Sequence, residues 1–143
     1  DGIRALAMKP FCSGSREDVR VLQAVQANEL PDEIANPFFF RAPLSPWSAA
    51  KIEGRKIVLA DALRAISTAK KYCDLLLIEG FKREPIPKLE VYRSVVGEPL
   101  LFPHDEHIVA VASDARVDTR LPQFLLDDIA AIADFIEQHA RPA

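Results

Sequence analysis

Scarce cysteine and scarce glycine are the first constraints on this chain of 143 residues. Its two cysteines, Cys12 and Cys73, are too few for a disulfide framework or a cysteine-based metal cluster, so we expect reduced thiols in a cytoplasmic protein. None of its five glycines occurs in the pattern G-x-x-x-x-G-K-[ST]. The sequence therefore contains no loop of the kind that cradles nucleotide phosphates with glycine-rich backbone.

Long apolar runs and an excess of basic charge are also missing. No apolar stretch approaches the roughly 20 residues that span a bilayer, and no signal peptide is visible, so no membrane partner is expected. A formal net charge of −3 argues against a general nucleic-acid-binding surface. What remains, 49% hydrophobic and 27% charged residues, is typical of a globular domain with its own core.

Strand-like and helix-like patterns alternate along the chain, which predicts a single α/β domain over residues 1–143. Strands are predicted at residues 3–8, 75–78, 88–93, 107–112 and 124–126, and helices at residues 15–28, 47–53, 60–72 and 127–139. Residues 11–15 are predicted to form a loop, and the aromatic, proline-rich residues 36–46 an extended segment. Because a strand begins almost directly after Asp1, we interpret the chain as lacking an amino-terminal segment.

The most informative stretch is the apolar run D-L-L-L-I-E-G, which extends from Asp74 to Gly80. Its four consecutive large aliphatic residues predict a strand that is buried on both faces of a parallel sheet. Glu79 follows directly, and α/β proteins bind ligands at the carboxyl ends of such strands. A carboxylate at this point is costly unless a partner or solvent compensates it, so Glu79 is a candidate site residue.

Lys9 occupies the corresponding position after the first predicted strand, in the segment K-P-F-C-S-G-S. A lysine there can neutralise a phosphate or a carboxylate, and the nearby hydroxyls of Ser13 and Ser15 can hydrogen-bond the same anion. The alternative is a surface lysine in a polar turn. Since parallel strands end at one edge of a sheet, we expect Lys9 and Glu79 to face one shared rim.

Asp18 and Glu79 are candidate magnesium ligands, because Mg²⁺ is usually held by one or two carboxylates together with substrate phosphates. The alternative for Asp18 is a favourable interaction with the start of its helix. Lys82, together with Arg83 and Lys88, is a candidate anion-binding group beside Glu79. The alternative for this group is a solvated basic loop.

Two further sets of reactive side chains carry weaker signals. His104 and His107 are spaced three apart, but no third ligand stands at a diagnostic spacing, so we prefer a polar loop to a metal site. Cys12 lies near the candidate anion site, yet it has no obvious histidine partner for nucleophilic catalysis.

Three motifs follow one another in residues 1–80: M-K-P-F-C-S-G-S-R-E-D-V-R-V-L-Q, then N-P-F-F-F-R-A-P-L-S-P-W-S-A-A-K-I-E-G-R-K-I, then Y-C-D-L-L-L-I-E-G. Together and in this order they resemble dethiobiotin synthetase. The resemblance implies an enzyme that uses ATP and Mg²⁺ to close a ureido ring on 7,8-diaminononanoate with carbon dioxide. It implies that Lys9 and Ser13 hold the carbamate and the transferred phosphate. It also assigns the metal to Asp18 and Glu79, and we expect Lys82 to contact the nucleotide.

Residues 74–143 carry a second set of motifs, D-L-L-L-I-E-G-F-K-R-E-P-I-P-K-L-E-V-Y-R, H-I-V-A-V-A-S-D and L-D-D-I-A-A-I-A-D-F-I. These are similar to the carboxyl half of MobB, the GTP-binding protein of molybdenum cofactor dinucleotide synthesis. Both families are of the P-loop NTPase class. The resemblances therefore imply a three-layer α/β fold with a mostly parallel sheet that lacks the first strand, the P-loop and the first helix. The chain looks like a hybrid, natural or engineered, with a synthetase-like part at residues 1–80 and a MobB-like part at residues 81–143.

The two resemblances leave three functions open. The first is a dethiobiotin synthetase-like ligase that depends on ATP and Mg²⁺, with little activity expected from this polypeptide alone. The second is a GTP-binding accessory protein of molybdenum cofactor biosynthesis. The third is a non-catalytic, truncated or chimeric α/β scaffold. Either family implies a cytoplasmic homodimer whose partners are a nucleotide and a small molecule.

Overall fold

The computed structural model describes residues 2–140 of the protein. The chain divides after Lys82 into two compact units, and each is described by itself. Residues 2–82 make up the amino-terminal unit and residues 83–140 the carboxy-terminal unit. The interpretation of residues 1–143 as a single domain stays a prediction.

Strands and helices alternate throughout the amino-terminal unit. Its strands are β1 (Ala5–Met8), β2 (Phe11–Ser13), β3 (Phe38–Phe40) and β4 (Leu75–Ile78). Its helices are α1 (Glu17–Val25), α2 (Asp32–Ala35), α3 (Pro46–Ile52) and α4 (Leu59–Ala69). The strands of this unit pair in parallel, which confirms the α/β class predicted from the alternating patterns.

The sheet of β1 and β4 carries the candidate site. Met8 stands opposite Ile78, so both carboxyl ends lie at one edge of the sheet. Through Leu76 and Ile78, β4 packs on the buried core that includes Met8, whereas Leu77 is 40% exposed. The prediction that β4 is buried on both faces is therefore wrong. Within residues 2–82, the core lies against only one face of the strand.

β2 and β3 form a second parallel pair, with Phe11 opposite Phe38 and Ser13 opposite Phe40. The loop predicted for residues 11–15 is therefore wrong where β2 forms, and the segment predicted to be extended pairs as a strand. The stacked rings of Phe11 and Phe38, 5.0 Å apart, stabilise the pair. A proline precedes each strand, where its missing N–H removes no hydrogen bond from the ladder.

The helices follow the predicted pattern, with differences at their ends. α3 begins where the Ser45 hydroxyl accepts a hydrogen bond from the Ser48 N–H and where Pro46 fixes the first turn. It stops before Gly54, which has a left-handed φ of +64°. α2 is not predicted by the sequence pattern, because its four residues are too few to show a helical repeat.

α1 supports β1 through glutamine side chains rather than through a purely apolar stripe. Gln26 accepts a hydrogen bond from the Ala7 N–H at 2.8 Å and donates one to Gln23 Oε1 at 2.5 Å. Gln23 is buried and donates to the Leu30 carbonyl oxygen at 2.7 Å. Val25, which the helical repeat places on the inner face, is instead 84% exposed. Gln26 thus satisfies the Ala7 N–H of β1, and Gln23 holds Gln26 in place, which helps to fix the strand that precedes Lys9.

Apolar side chains of the amino-terminal unit are buried in two clusters. The first lies under β1 and β4, and the second lies between β3 and α3. Their buried members are Leu6, Met8, Leu30, Ala35 and Ala69 in the first, and Phe40, Ala49 and Ala50 in the second. Since β1 and β4 are anchored in the first cluster, the residues that follow them have a rigid base.

The carboxy-terminal unit is built on a three-stranded parallel sheet. Its strands are β5 (Lys88–Tyr92), β6 (Ile108–Ser113) and β7 (Gln123–Leu125), in the order β5-β6-β7, and helix α5 (Ile129–Ala140) follows them. β6 is almost wholly buried, as its apolar run predicts, and β5 is only partly covered. The strands and the helix predicted for this part of the chain are confirmed.

Parallel pairing holds in each sheet that the structure describes. The strands of residues 2–140 are divided among three short sheets, whereas the sequence patterns predict one. Across the same residues, every helix is too short or too polar to cross a lipid bilayer.

Candidate functional site

Lys9 and Glu79 directly follow the paired strands β1 and β4. Because Met8 and Ile78 stand opposite each other, the next residue of each strand leaves the sheet at the same edge. The Glu79 N–H donates to the Met8 carbonyl oxygen at 2.9 Å, which locks this end of the pair. The Lys9 ammonium lies 3.0 Å from Glu79 Oε1 and 2.8 Å from Glu79 Oε2. The structure thus brings these two side chains to one rim.

Asp18 joins this pair from the first turn of α1. Its carboxylate forms a hydrogen-bonded ion pair with the Lys9 ammonium, so Lys9 bridges two acids from different elements. Burial lowers the pKa of the Lys9 ammonium, but its hydrogen bonds to Asp18 and Glu79 outweigh that effect and raise the pKa above its ordinary value. Lys9 is therefore held in its charged form. Its side chain is 15% exposed, against 65% for Asp18 and 47% for Glu79.

The backbone of Lys9 is fixed by residues that the sequence patterns did not single out. The Lys9 N–H donates to the Ala35 carbonyl oxygen at 2.9 Å, and buried Asn36 donates through Nδ2 to the Lys9 carbonyl oxygen at 2.7 Å. Arg16 Nε in turn donates to Asn36 Oδ1 at 3.2 Å. The only signal in the sequence is the Asn36-Pro37 pair, which indicates a turn and gives no hint of a contact 27 positions away.

Ser13 and Cys12, close to Lys9 in the sequence, have other partners. The Ser13 hydroxyl, at the end of β2, donates to the Leu44 carbonyl oxygen at 2.6 Å. The contacts described for residues 2–140 do not join Ser13 to Lys9. Cys12 is buried, its thiol donates to the Ser15 carbonyl oxygen at 2.8 Å, and burial raises the pKa of the thiol. A thiol kept neutral is a poor nucleophile.

The chain turns sharply after Glu79. Gly80 and Phe81 both have positive φ, +106° and +56°, and for phenylalanine this backbone conformation is strained. The Phe81 ring packs on Phe11 with 5.9 Å between the ring centroids, which offsets the strain and ties the turn to β2. Lys82, the predicted nucleotide contact, is exposed after this turn, and the ion pairs described for residues 2–140 do not include it.

Lys88, grouped with Lys82 and Arg83 in the sequence interpretation, is engaged inside the carboxy-terminal unit. Its ammonium forms an ion pair with Asp105 Oδ2 at 2.7 Å, and the two side chains are 13% and 20% exposed. The hydrogen bond from Lys88 holds the pKa of the Asp105 carboxyl below its usual range. Lys88 therefore has a partner of its own, and the structure gives no support to its place in an anion-binding group.

His104 ends a short 3-10 turn (Phe102–His104), and His107 directly precedes β6. Residues 102–107 line an open cavity of about 600 Å³. His107 Nδ1 lies 3.4 Å from Asp105 Oδ1. Among residues 2–140, no group of three His, Cys, Asp or Glu side chains is arranged to hold a metal ion.

The arrangement around Lys9 has the donors that Mg²⁺ and a phosphate require. Asp18 and Glu79 offer carboxylate oxygens that converge on one point and are open to solvent. Two carboxylates, completed by water and phosphate oxygens, are a usual protein contribution to a magnesium site. Lys9 adds a compact positive charge at the same point, which suits a phosphate oxygen. The residues present therefore fit a metal-bound phosphate.

A protein family matches the middle of the chain. The family model described as "Molybdopterin guanine dinucleotide synthesis protein B", MobB, matches residues 47–114. This range extends from the second residue of α3 through β4 to the end of β6. It begins and ends earlier than the MobB resemblance read from the motifs, which spans residues 74–143.

Curated relatives come from the two expected groups. An ATP-dependent dethiobiotin synthetase of Bacillus licheniformis is 35% identical over 89 residues, which is 59% of this chain and 38% of the relative. A second one, of Marinobacter nauticus, is 34% identical over 111 residues, covering 68% of this chain and 46% of the relative. A molybdopterin-guanine dinucleotide biosynthesis adapter protein of Haemophilus influenzae is 43% identical over 65 residues, covering 45% of this chain and 35% of the relative.

The chain spans less than half the length of these curated relatives. Both resemblances read from the motifs are confirmed at moderate identity. The similarity to the Marinobacter synthetase covers 68% of the chain, more than residues 1–80 can supply, so it overlaps the MobB match at residues 47–114. The two likenesses therefore share residues rather than meeting at one boundary.

Proposed function

We propose that this chain supplies the metal and phosphate side of a nucleotide-dependent site, with chemistry of the dethiobiotin synthetase type. The proposed reaction is the ATP- and Mg²⁺-dependent closure of a ureido ring on 7,8-diaminononanoate with carbon dioxide. The observation that carries the proposal is the meeting of Lys9, Asp18 and Glu79 where β1 and β4 end. Similarity to proteins named ATP-dependent dethiobiotin synthetases supports the choice of nucleotide.

Each candidate residue has a role that its position allows. Asp18 and Glu79 would hold Mg²⁺, which when bound supplies positive charge against the negative charge that gathers on a transferring phosphoryl group. Lys9 would pair with a phosphate or carbamate oxygen at the same point. Ser13 would donate to the same anion once its hydroxyl turns away from the Leu44 carbonyl oxygen. Lys82, exposed after the turn, would contact the nucleotide.

The whole reaction, its substrates and a homodimeric state are part of the proposal. We expect weak activity from this polypeptide alone, because its sequence contains no G-x-x-x-x-G-K-[ST] loop to grip the β- and γ-phosphates. A site with two carboxylates and a lysine but no glycine-rich cradle can still bind Mg-nucleotide, with reduced affinity.

A second candidate is favoured by the family match at residues 47–114. In this case the chain acts as a GTP-binding, MobB-like adapter in molybdenum cofactor biosynthesis and catalyses no ring closure. The same Asp18 and Glu79 carboxylates would hold Mg²⁺, so nucleotide choice is what separates the two functions. A truncated or chimeric scaffold without nucleotide binding is the remaining alternative.

Isothermal titration of the full chain with Mg-ATP and Mg-GTP, with and without 7,8-diaminononanoate, tests the proposal. We expect Mg-ATP to bind, and diaminononanoate to strengthen that binding, because the substrate carbamate and the phosphate share the Lys9 rim. A preference for Mg-GTP with no effect of diaminononanoate would establish the adapter instead. Absence of binding with both nucleotides would leave only the scaffold.

A further inference from the structure

The Lys9 ammonium lies between the carboxylates of Asp18 and Glu79, the two side chains that would hold the metal. It donates hydrogen bonds to both acids, with 2.8 Å and 3.0 Å to the two oxygens of Glu79 and a hydrogen-bonded ion pair to Asp18. The Lys9 side chain is largely covered, whereas the side chains of Asp18 and Glu79 are 65% and 47% exposed. Lys9, Asp18 and Glu79 thus form one group of three charges, and the acidic side chains are its more solvent-exposed part.

A divalent cation and the Lys9 ammonium would bind the same carboxylate oxygens of Asp18 and Glu79. Mg²⁺ binds carboxylate oxygens at about 2.0–2.1 Å and the ammonium binds them at hydrogen-bond distance, so both use the lone pairs that face the shared point. Two positive charges within a few ångströms also repel each other strongly. The Asp18–Glu79 pair can therefore hold one of them at a time.

Entry of a metal ion would require only the side chain of Lys9 to move. Its N–H is bound to the Ala35 carbonyl oxygen and its carbonyl oxygen to Asn36, so the backbone stays in place. The side chain is a flexible four-carbon stem that can swing the ammonium away without disturbing β1. The cost of metal entry is then the cost of breaking the Lys9 ion pairs.

We propose that Lys9 is a built-in competitor of the divalent cation at the Asp18–Glu79 pair, and that it sets how tightly this pair takes the cation. The inference rests on the proposed function only in taking Asp18 and Glu79 as the metal ligands. In the metal-free protein Lys9 neutralises the two acids and holds them together. When a cation takes its place, the ammonium is released to pair with the anion that the cation brings.

Mn²⁺ titration, followed by the loss of the free-ion signal in electron paramagnetic resonance, tests this inference. We expect Lys9→Met to bind Mn²⁺ at least about tenfold more tightly than the parent, because two charged hydrogen bonds no longer have to be broken. Lys88→Met is the control, since the Lys88 side chain is similarly covered (13% exposed against 15%) and is ion-paired to one carboxylate, but lies in the other unit. It should leave the Mn²⁺ affinity unchanged. Equal or weaker binding by Lys9→Met would overturn the inference.

Asp18→Asn and Glu79→Gln in the Lys9→Met background separate this inference from the proposed function. Each should abolish the tighter Mn²⁺ binding expected of Lys9→Met. One outcome would overturn the inference but keep the proposed metal site. In it, Lys9→Met binds Mn²⁺ no more tightly than the parent, while Asp18→Asn and Glu79→Gln, each made alone in the parent, abolish Mn²⁺ binding. If the acids do not matter, or no protein binds Mn²⁺, the metal role in the proposed function fails together with the inference.

The unaltered chain offers a second readout that does not depend on how a variant folds. Reductive methylation of lysine amines, read by peptide mass spectrometry, reports whether the Lys9 amine is covered. We expect Mn²⁺ to raise the rate of modification at Lys9 about threefold or more while Lys88 stays unchanged, because release from the acids exposes the amine. A Lys9 rate that Mn²⁺ leaves the same or lowers would contradict the competition.

Discussion

Lys9 is held by its backbone as much as by its charge. Hydrogen bonds to Ala35 and from Asn36 fix its main chain, and Asp18 and Glu79 fix its ammonium. A lysine placed in this way costs little to bury, because each polar group has a partner. The same arrangement explains why the pKa of Lys9 is raised although burial alone lowers it.

Asp105 provides a test of electrostatics in the carboxy-terminal unit. The hydrogen bond from Lys88 holds the pKa of the Asp105 carboxyl below its usual range, so the folded state favours the ionised form. Its contribution to the free energy of unfolding is therefore present above about pH 4 and is lost as pH falls through the lowered pKa. We expect Asp105→Asn to be less stable than the parent at pH 7, with the difference shrinking towards about pH 3.

Thermal unfolding followed by circular dichroism at several pH values measures this difference. Glu106→Gln is the control, because Glu106 is next in the chain but belongs to none of the ion pairs described for residues 2–140. A gap between Asp105→Asn and the parent that stays constant from pH 7 to about pH 3 would show that the Lys88 pair is not its source.

The meeting of Lys9 and Glu79 at one edge of the sheet was predictable from the sequence, but the hydrogen bonds that fix the surrounding backbone and side chains were not. Each follows an apolar run, and parallel strands bring such positions to one edge, so the sequence alone indicates that they meet. Asn36 gives no such signal, since its contact with Lys9 depends on a turn that brings distant residues together. Ser13 was placed correctly along the chain, yet its hydroxyl is bound to the Leu44 carbonyl oxygen, which no local pattern indicates.

The short strands β2 and β3 depend on one close approach of two backbones. Gly14, just after β2, has φ +74° and donates its N–H to the Phe40 carbonyl oxygen at 2.9 Å. A methyl group there would lie 3.0 Å from Pro43 Cβ and 3.1 Å from Pro43 Cα. Gly54 has a similar φ of +64° but nothing within 4 Å of such a group.

Gly14→Ala and Gly54→Ala therefore form a matched pair. Gly54→Ala should cost about 1 kcal/mol of unfolding free energy through left-handed backbone strain alone. Gly14→Ala should cost about 1–3 kcal/mol more, because Pro43 must also move. Urea unfolding followed by the fluorescence of Trp47, the one tryptophan of the chain, measures both in the amino-terminal unit. Equal costs for the two variants would mean that the approach to Pro43 carries no strain.

Helices and strands were predicted best where the pattern was long. α4, β6 and α5 follow clear apolar repeats and lie close to their predicted bounds. β2 and β3 were missed as strands because three residues are too few for an alternating pattern and both follow prolines. Val25 of α1 is exposed although the helical repeat favours its burial, since hydrogen-bonded glutamines pack in its place.

The similarities to two families extend over both units of the chain. The amino-terminal unit holds the strand-end site, and the carboxy-terminal unit adds three further parallel strands. The MobB match at residues 47–114 crosses from one unit to the other, and the synthetase similarity overlaps it. A chain that spans less than half of its relatives can share a β4–Glu79 element with both, because in either proposed function Glu79 would be a metal ligand whichever nucleotide is used.

The central proposal is that Asp18 and Glu79 hold one and the same Mg²⁺, to which the nucleotide phosphate is bound. Titration of Mg-ATP into the parent, Asp18→Asn, Glu79→Gln and the double variant tests it most directly. We predict that each single variant weakens binding about tenfold or more, and that the double variant is hardly weaker than either one, because residues that share one ligand do not act additively. Full binding by either single variant, or losses that simply multiply in the double variant, would contradict the claim.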